Sequence, residues 1–389
     1  DKSLCCGCWA CANICPKHCI VMEEDQEGFC YPKVDEKTCV KCGLCEKVCP
    51  IKSENNGNDV VENFIIQHKD PEIRKGSTSG GFFTAACRYA IEHGGVVFGA
   101  AFDSQMTLRH MYSETMEGCA KFRGSKYVQS LIGDAYKEAK VFLEQGRFVV
   151  FSGTPCQISG LKKYLGKTQR ENLVTVDVVC HGTPSPKLFK RFLAYQSSCY
   201  GNAKPVAYLS RDKHYGFSYS TSSIFFDNGQ KYHKGIDSDL MLGLYFRNLV
   251  SRPSCYKCHF KTLERVSDLT IFDCWNASKE DSMFDRNGAT NVFVHTKQGL
   301  DFFERIKMDF TYAHADLEEI IARDGVMIRN QVPENPLRTE FFNDLNLGMS
   351  MPQIEKKYMH RSLMKKLLSI IKPFMFKIGV FDLYLRMKR

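Results

Sequence analysis

Two stretches near the start of the chain place cysteine at one repeated spacing. Cys5-x2-Cys8-x2-Cys11-x3-Cys15 is followed by Pro16, and Cys39-x2-Cys42-x2-Cys45-x3-Cys49 is followed by Pro50. Thiolates are soft ligands for iron or zinc, and spacing helps to separate the two. A structural zinc site usually pairs two C-x2-C knuckles across a longer loop, and three cysteines in seven residues crowd a single tetrahedral ion. Three thiolates on a tight loop can reach three irons of one cubane instead. The three-residue gap then throws the fourth cysteine across to a neighbouring cluster. Each proline ends its short turn, because it lacks the N–H that a continuing helix needs. The chemistry indicated is single-electron transfer.

This is the spacing of bacterial two-cluster ferredoxins. It assigns Cys5, Cys8, Cys11 and Cys49 to one [4Fe–4S] cluster and Cys39, Cys42, Cys45 and Cys15 to the other. Cys6, Cys19 and Cys30 lie outside the pattern and read as packing residues. Eleven of the 19 cysteines fall in the first fifty residues. The odd count, the C-x2-C groups and the lack of a secretory leader read as reduced thiolates in a cytoplasmic protein. No run of about eighteen apolar residues suggests a spanning helix.

Beyond "IKSENNGNDVVEN" (51–63), a polar stretch that reads as a linker, strand–loop–helix units indicate an α/β body. "GGVVFGAAF" (94–102) is a buried-strand run. "RFVVFSGTPCQISGLKKYL" (147–165) and "LVTVDVVCHGTPSPKLFKRFLAYQ" (173–196) each run strand, tight loop, helix. Residues 205–236 alternate like an antiparallel hairpin, and 268–275 form another strand, before helices near 298–308 and 315–323. The two loops carry Cys156 and Cys180 to strand ends, where ligands of doubly wound sheets sit. "RPSCYKCHFK" (252–261) adds Cys255 and Cys258. Four cysteines from three segments make one further metal site or pack as small hydrophobes, and zinc stays allowed there. "GSTSGGFF" (76–83) opens a helix whose N–H groups either cradle a pyrophosphate or are capped in the ordinary way. No G-x-G-x-x-G follows a strand, so a Rossmann nucleotide fold is not indicated.

These segments together resemble the coenzyme F420 hydrogenase/dehydrogenase beta-subunit family. The resemblance rests on "STSGGFFTA" (77–85), "GGVVFGAAFD" (94–103), "RGSKYVQS" (123–130), "VFSGTPCQISGLKKYL" (150–165), "VDVVCHGTPSPK" (176–187) and "RPSCYKCHFKTLERVSDLTIFDCW" (252–275). It covers roughly residues 1–325. It implies noncovalent FAD, a [4Fe–4S] cluster in the body, and hydride chemistry at the flavin. Carried over by motif, the body cluster takes Cys156, Cys180, Cys255 and Cys258. FAD contacts fall on Ser77, Ser79, Gly80, Gly81, Ser125, Lys126, Tyr127, Gly153, Thr154 and Pro155. Where the family strand ends in an Asp-Phe-Trp-Gly-like run, this chain reads Asp273-Cys274-Trp275-Asn276, so Cys274 is not a family ligand.

The resemblance implies an α+β two-cluster ferredoxin domain (1–52), a linker (53–66) and an α/β flavoprotein body in two parts (67–147 and 148–330). An extension with a basic helical tail follows (331–389). Electrons entering singly would collect on FAD and leave as hydride to an organic acceptor or a deazaflavin coenzyme, with His181 and Tyr127 as candidate proton donors. The other reading is a subunit that relays electrons between proteins without its own substrate. Ferredoxin or another redox protein is the expected partner, and a homo-oligomer is open. The net charge of +9 gathers in the tail: residues 355–389 hold ten Lys/Arg against two Asp/Glu, so a nucleic-acid groove is not expected. Residues 359–389 mix basic and apolar residues, and Pro373 divides them into two helical pieces. The first expectation is a helix packed on its own body. The second is attachment at the inner membrane surface or docking to an acidic partner.

Overall fold

The computed structural model describes residues 1–52, 57–166, 171–275, 277, 282–359, 363–378 and 380. Residues 1–52 form a small unit with helices Ala10–Ile14 and Leu44–Lys47 and an antiparallel pair, β1 (Ile20–Glu24) and β2 (Cys30–Val34). Its cysteine loops turn on left-handed backbone, with Gly7 at φ 67° and Gly43 at φ 74°. At Gly7 the need is doubled, since a Cβ there would meet the Arg252 guanidinium at 2.8 Å. The unit is seated in the body and does not hang from it. Phe29 is fully buried in a core shared with Leu188, Phe189 and Tyr245, and Arg338 donates to Glu27 at 2.8 Å.

The body opens with β3 (Glu62–His68), β4 (Val96–Phe102), β5 (Leu108–Ser113), β6 (Val149–Gly153) and β7 (Leu173–Val178). Strands β8 (Pro205–Asp212), β9 (Thr221–Phe226) and β10 (Lys231–Gly235) form a separate antiparallel sheet, as the alternation over 205–236 predicts. Strands β11 (Leu269–Cys274), β12 (Ala289–Val294) and β13 (Phe310–His314) return to the first sheet. Its eight strands run in the order β13-β3-β12-β11-β7-β6-β4-β5. The centre, β11-β7-β6-β4, is parallel, and antiparallel pairs close both sides. The fold is therefore mixed α/β around one large mixed sheet. Val149, Val150 and Phe151 are fully buried, the continuous apolar run that a strand covered on both faces requires.

Three expectations change. The stretch 53–66 is not simply a linker: β3 starts at Glu62, Val61 donates to Val294 O at 2.8 Å, and Asn58 exchanges backbone bonds with Arg265. The apolar core of "VVENFIIQH" was masked by the Asn/Gly run before it, and residues 53–56 lie outside the described set. Strands from both sides of position 147 share one sheet, so that boundary separates no two sheets. In the extension, Phe341, Phe342, Leu345, Met351 and Ile354 are buried in the body core. Pro373 does not divide the tail: one helix runs Leu363–Lys377 through it. Proline's fixed φ suits a helix, and its cost there is a missing bond and a local clash that a helix can absorb by bending. Residues 360–362, 379 and 381–389 of that tail are outside the described set. Among the described residues no helix is long and apolar enough to cross a membrane.

Candidate iron–sulfur centres and the cleft beside them

Adjacent parallel strands bring the first two body cysteines together. Gly153, the last residue of β6, lies opposite Asp177 in β7. Cys156 follows at the start of helix Pro155–Leu165, and Cys180 sits two residues beyond β7. Pro155 at the first turn and a Thr154–Gln157 capping box fix that helix start. The Thr154 hydroxyl stands 3.2 Å from the Cys156 sulfur. The 3-10 turn Pro253–Lys257 delivers Cys255, and Gln331 clamps the Cys258 backbone from both sides, at 3.0 and 2.8 Å. All four cysteines line one cavity, with His181 and Lys261.

Burial raises the thiols of Cys180, Cys255 and Cys258, the last to about 12, and mutual repulsion adds to it. Four sulfurs crowded into a buried wall are costly as bare thiolates, and a cationic iron core removes that cost. The donor set fits a four-iron cluster, in which each cysteine serves its own iron. Among the described residues no three His, Cys, Asp or Glu side chains form a site for a single metal ion.

In the N-terminal unit, Cys11 is raised to about 12 by burial and then by the charges of Cys8, Cys5 and Cys49. The four residues of the first expected group therefore face one another. Cys15, Cys39 and Cys45 of the second group meet in a small cluster with Cys19. The Cys19 sulfur is 3.3 Å from that of Cys15 and within hydrogen-bonding reach of Cys39. Cys19 thus lies inside the second group, a position that the motif spacing gave no reason to assign.

The two regions meet at Cys6. Its thiol is within hydrogen-bonding reach of Cys156 and Cys8 and is raised by donating to them, while Cys156 is lowered to about 7 chiefly by that bond. Beneath it, a Cβ on Gly160 would lie 2.9 Å from the Cys8 Cβ. Arg252, fully buried, donates to Cys5 O at 2.7 Å and Cys30 O at 3.1 Å and reaches the Cys5 sulfur at 3.6 Å. Arg252 stands within a motif of the sequence, yet no local pattern gives it a role. Its separation of more than 200 residues from Cys5 hides the contact.

The other expected residues divide. Thr154 and Pro155 line the cysteine cavity, while Gly153 packs against Gln157. The loop before helix Phe82–Glu92 is already committed to protein. Ser77 bonds Ile73 O, Thr78 accepts from Ser125 N, Ser79 bonds Asp273, and Gly80 N donates to Thr290. Gly80 and Gly81 are buried, so this helix start does not fit a pyrophosphate. Lys126 donates to Phe122 O and Arg123 O, and burial pushes its ammonium down to about 7. His181 bonds Asn248 Oδ1 at 2.8 Å, lies 3.1 Å from Met327 Sδ, and is held below its ordinary pKa by burial. Its ring nitrogens are occupied, which does not suit a free proton donor.

From His181 an aromatic row leads away from the cavity. Its ring lies 5.0 Å from Tyr245 and 5.7 Å from Phe246, and Tyr127 lies 4.8 Å from Tyr245. Tyr127 interacts with Arg211, which pairs with Asp273 at 2.9 Å and stacks on the half-exposed Trp275 at 4.7 Å. Burial raises the Tyr127 phenol. Cys274 is buried among Ile65, Ala277 and Phe284, a packing role.

Comparison with known proteins agrees with this division. Residues 146–319 match the family described as the C terminus of the coenzyme F420 hydrogenase/dehydrogenase beta subunit. The chain is a member of that beta-subunit family through this domain. In front of the beta-subunit domain, residues 4–53 match the 4Fe-4S dicluster domain. The coenzyme F420-dependent sulfite reductase of Methanocaldococcus jannaschii is 28% identical over 169 residues, 42% of this chain and 25% of that protein. The chain thus spans about a quarter of that relative's length. Ferredoxin 7Fe of Hydrogenibacillus schlegelii is 39% identical over 64 residues, 16% of this chain and 76% of the ferredoxin. A chain of the F420-reducing [NiFe] hydrogenase complex of Methanosarcina barkeri aligns with a TM-score of 0.48 and 17% identity, over 76% of this chain and 96% of that one. At that score the alignment carries no weight for individual residues. Among family members, then, this one combines an iron–sulfur electron-transfer unit with an oxidoreductase domain.

Proposed function

We propose that the chain is an iron–sulfur oxidoreductase that moves single electrons from a ferredoxin or similar donor, through the N-terminal pair and a body cluster, to an organic acceptor such as a deazaflavin. The placement of Cys6, in reach of both Cys8 and Cys156, carries this reading, because it makes the two cysteine regions one continuous path. Bound clusters supply one-electron steps, and a bound flavin supplies their conversion to two-electron hydride chemistry. Cys5, Cys8, Cys11 and Cys49 hold the first N-terminal cluster, and Cys39, Cys42, Cys45 and Cys15 the second. Cys156, Cys180, Cys255 and Cys258 hold the third. Arg252, Tyr31 and Phe29 close the seam against water. His181, Tyr245, Phe246 and Tyr127 line the way from the body site to the Arg211–Trp275 cleft, where an acceptor ring would stack.

FAD is the carrier suggested by the family, with Lys126, Tyr127, Thr154 and Pro155 nearest that cleft and cavity. Its diphosphate would have to be held away from Ser77–Gly81, whose groups are spent on protein. That observation gives weight to the second reading, a relay without its own flavin. Anaerobic purification followed by acid release tests both readings. Roughly twelve irons with one FAD per chain support the converter. Roughly twelve irons without flavin support the relay. Fewer than about eight irons would overturn the continuous path.

A further inference from the structure

The helix Leu363–Lys377 presents its apolar side to water. Leu367, Ile370, Ile371, Phe374 and Ile378 are 55%, 64%, 42%, 65% and 70% exposed. At 100° per residue they fall within one arc of about 100°. Pro373 lies on the opposite side and is buried, and Lys372 pairs there with Asp237 at 2.9 Å. The helix is therefore fastened to the body by its far side, the reverse of an ordinary surface helix. The exposed Lys377 flanks the apolar arc, and residues 355–389 carry ten basic residues against two acidic ones. A single apolar arc within a strongly basic segment matches an interface in which acyl chains lie beneath anionic headgroups.

We propose that this helix docks the protein on an anionic lipid surface. The full chain should sediment with phosphatidylglycerol-containing vesicles at low salt, release at high salt, and ignore pure phosphatidylcholine. The double variant Ile370→Glu, Phe374→Glu should lose at least tenfold of this binding while keeping its iron content and solution mass. Equal binding by the variant, or no binding by the full chain, would overturn the proposal. So would a dimer of the full chain that the variant converts to monomer, since a second copy would then cover the arc. Saturable binding to an acidic protein with none to vesicles would equally assign the face to a protein partner.

A different observation carries a second inference, resting on the iron–sulfur reading above. Arg252 is 0% exposed, and its partners are the backbone carbonyls of Cys5 and Cys30, the Gln129 amide at 3.0 Å and the Cys5 sulfur at 3.6 Å. Its guanidinium also stacks on Tyr31 at 4.0 Å. A buried cation among neutral groups is costly unless an anion faces it, and the Cys5 thiolate of a loaded cluster is that anion. We infer that Arg252, contributed by the beta-subunit domain, is a positioning residue that raises the reduction potential of the first N-terminal cluster, favouring its reduced, more negative state. Anaerobic potentiometric titration followed by EPR tests this on the whole protein. Arg252→Gln should move one cluster signal to more negative potential and leave the other two in place, at unchanged iron content. Arg252→Lys, which keeps the charge, should restore most of the shift. Unmoved potentials in an iron-replete Gln variant, or equal shifts in both variants, would overturn it. If the Gln variant lost all iron, failure of Lys to restore iron would also sink the charge role. Unchanged iron stoichiometry in the wild type keeps this outcome distinct from failure of the iron–sulfur reading itself.

Discussion

The two cysteine regions are built in opposite ways. The N-terminal unit encodes its ligands within 45 residues, by spacing alone, on loops whose glycines and short helices do little but aim sulfur. The body site draws Cys156, Cys180 and the Cys255–Cys258 pair from three segments, and nothing in any one segment specifies the site. It exists because β6 and β7 are parallel neighbours and because the 3-10 turn is clamped by Gln331. A local site depends on its loop, whereas an assembled site depends on the sheet beneath it. The two should fail independently and for different reasons.

The largest expected effect tests that independence. Cys258→Ala should remove about four of roughly twelve irons per chain and leave the N-terminal pair, read by iron and sulfide analysis with EPR. Cys19→Ala should keep all of them, because the x3 spacing already supplies Cys15 to the second group. Loss of iron in the Cys19 variant would show that this thiol, 3.3 Å from Cys15, takes a ligand's place. Loss of all clusters in the Cys258 variant would break the comparison, because the local site would then lean on the assembled one.

A smaller effect should appear at the seam. Gly160→Ala would gain about 1 kcal/mol of helix propensity. Yet its methyl would stand 2.9 Å from the Cys8 Cβ and 3.0 Å from the Tyr136 hydroxyl, and overpacking of that kind costs about 1–3 kcal/mol. The expected outcome is a lower Tm and more labile iron at the first cluster. A raised Tm would mean that the N-terminal loop does not seat on this helix in solution.

Much of this arrangement was legible before any coordinates. The repeated C-x2-C-x2-C-x3-C-P named its metal, and the strand–loop–helix pattern put Cys156 and Cys180 at strand ends, where they are. What stayed hidden was contact across long separations. Arg252 against Cys5 and Cys6 against Cys156 leave no local pattern, since a packed seam needs only complementary shape. The "STSGG" loop misled for a related reason. Ser, Thr and Gly suit a phosphate cradle, but they suit equally a tight junction whose hydroxyls bond Asp273 and Thr290. Strand β3 was obscured because polar residues before it outweighed a short buried run.

The smallest effect concerns acid. The Cys156 turn rests on a buried chain of hydrogen bonds: Gln157 reaches Ser130, Ser130 bonds His110 Nδ1 at 3.0 Å, and His110 Nε2 bonds Ser152 O at 3.0 Å. Burial lowers His110 from 6.5 to about 4. Between those values the unfolded chain binds the proton and the folded chain does not. Stability should therefore be fully present above about pH 6.5 and fall as pH drops toward 4, with a slope of at most about 1.4 kcal/mol per pH unit from this residue. The N-terminal loops have no such brace among the described contacts, so acid should loosen the assembled site first. Comparing Tm against pH for the wild type and His110→Asn is the check. The variant should be less stable at pH 7 but decline less steeply below 6.5. Parallel curves would mean that His110 does not carry the acid sensitivity, and would pass that role to His295, also lowered to about 4 by burial on the far side of the sheet's parallel centre.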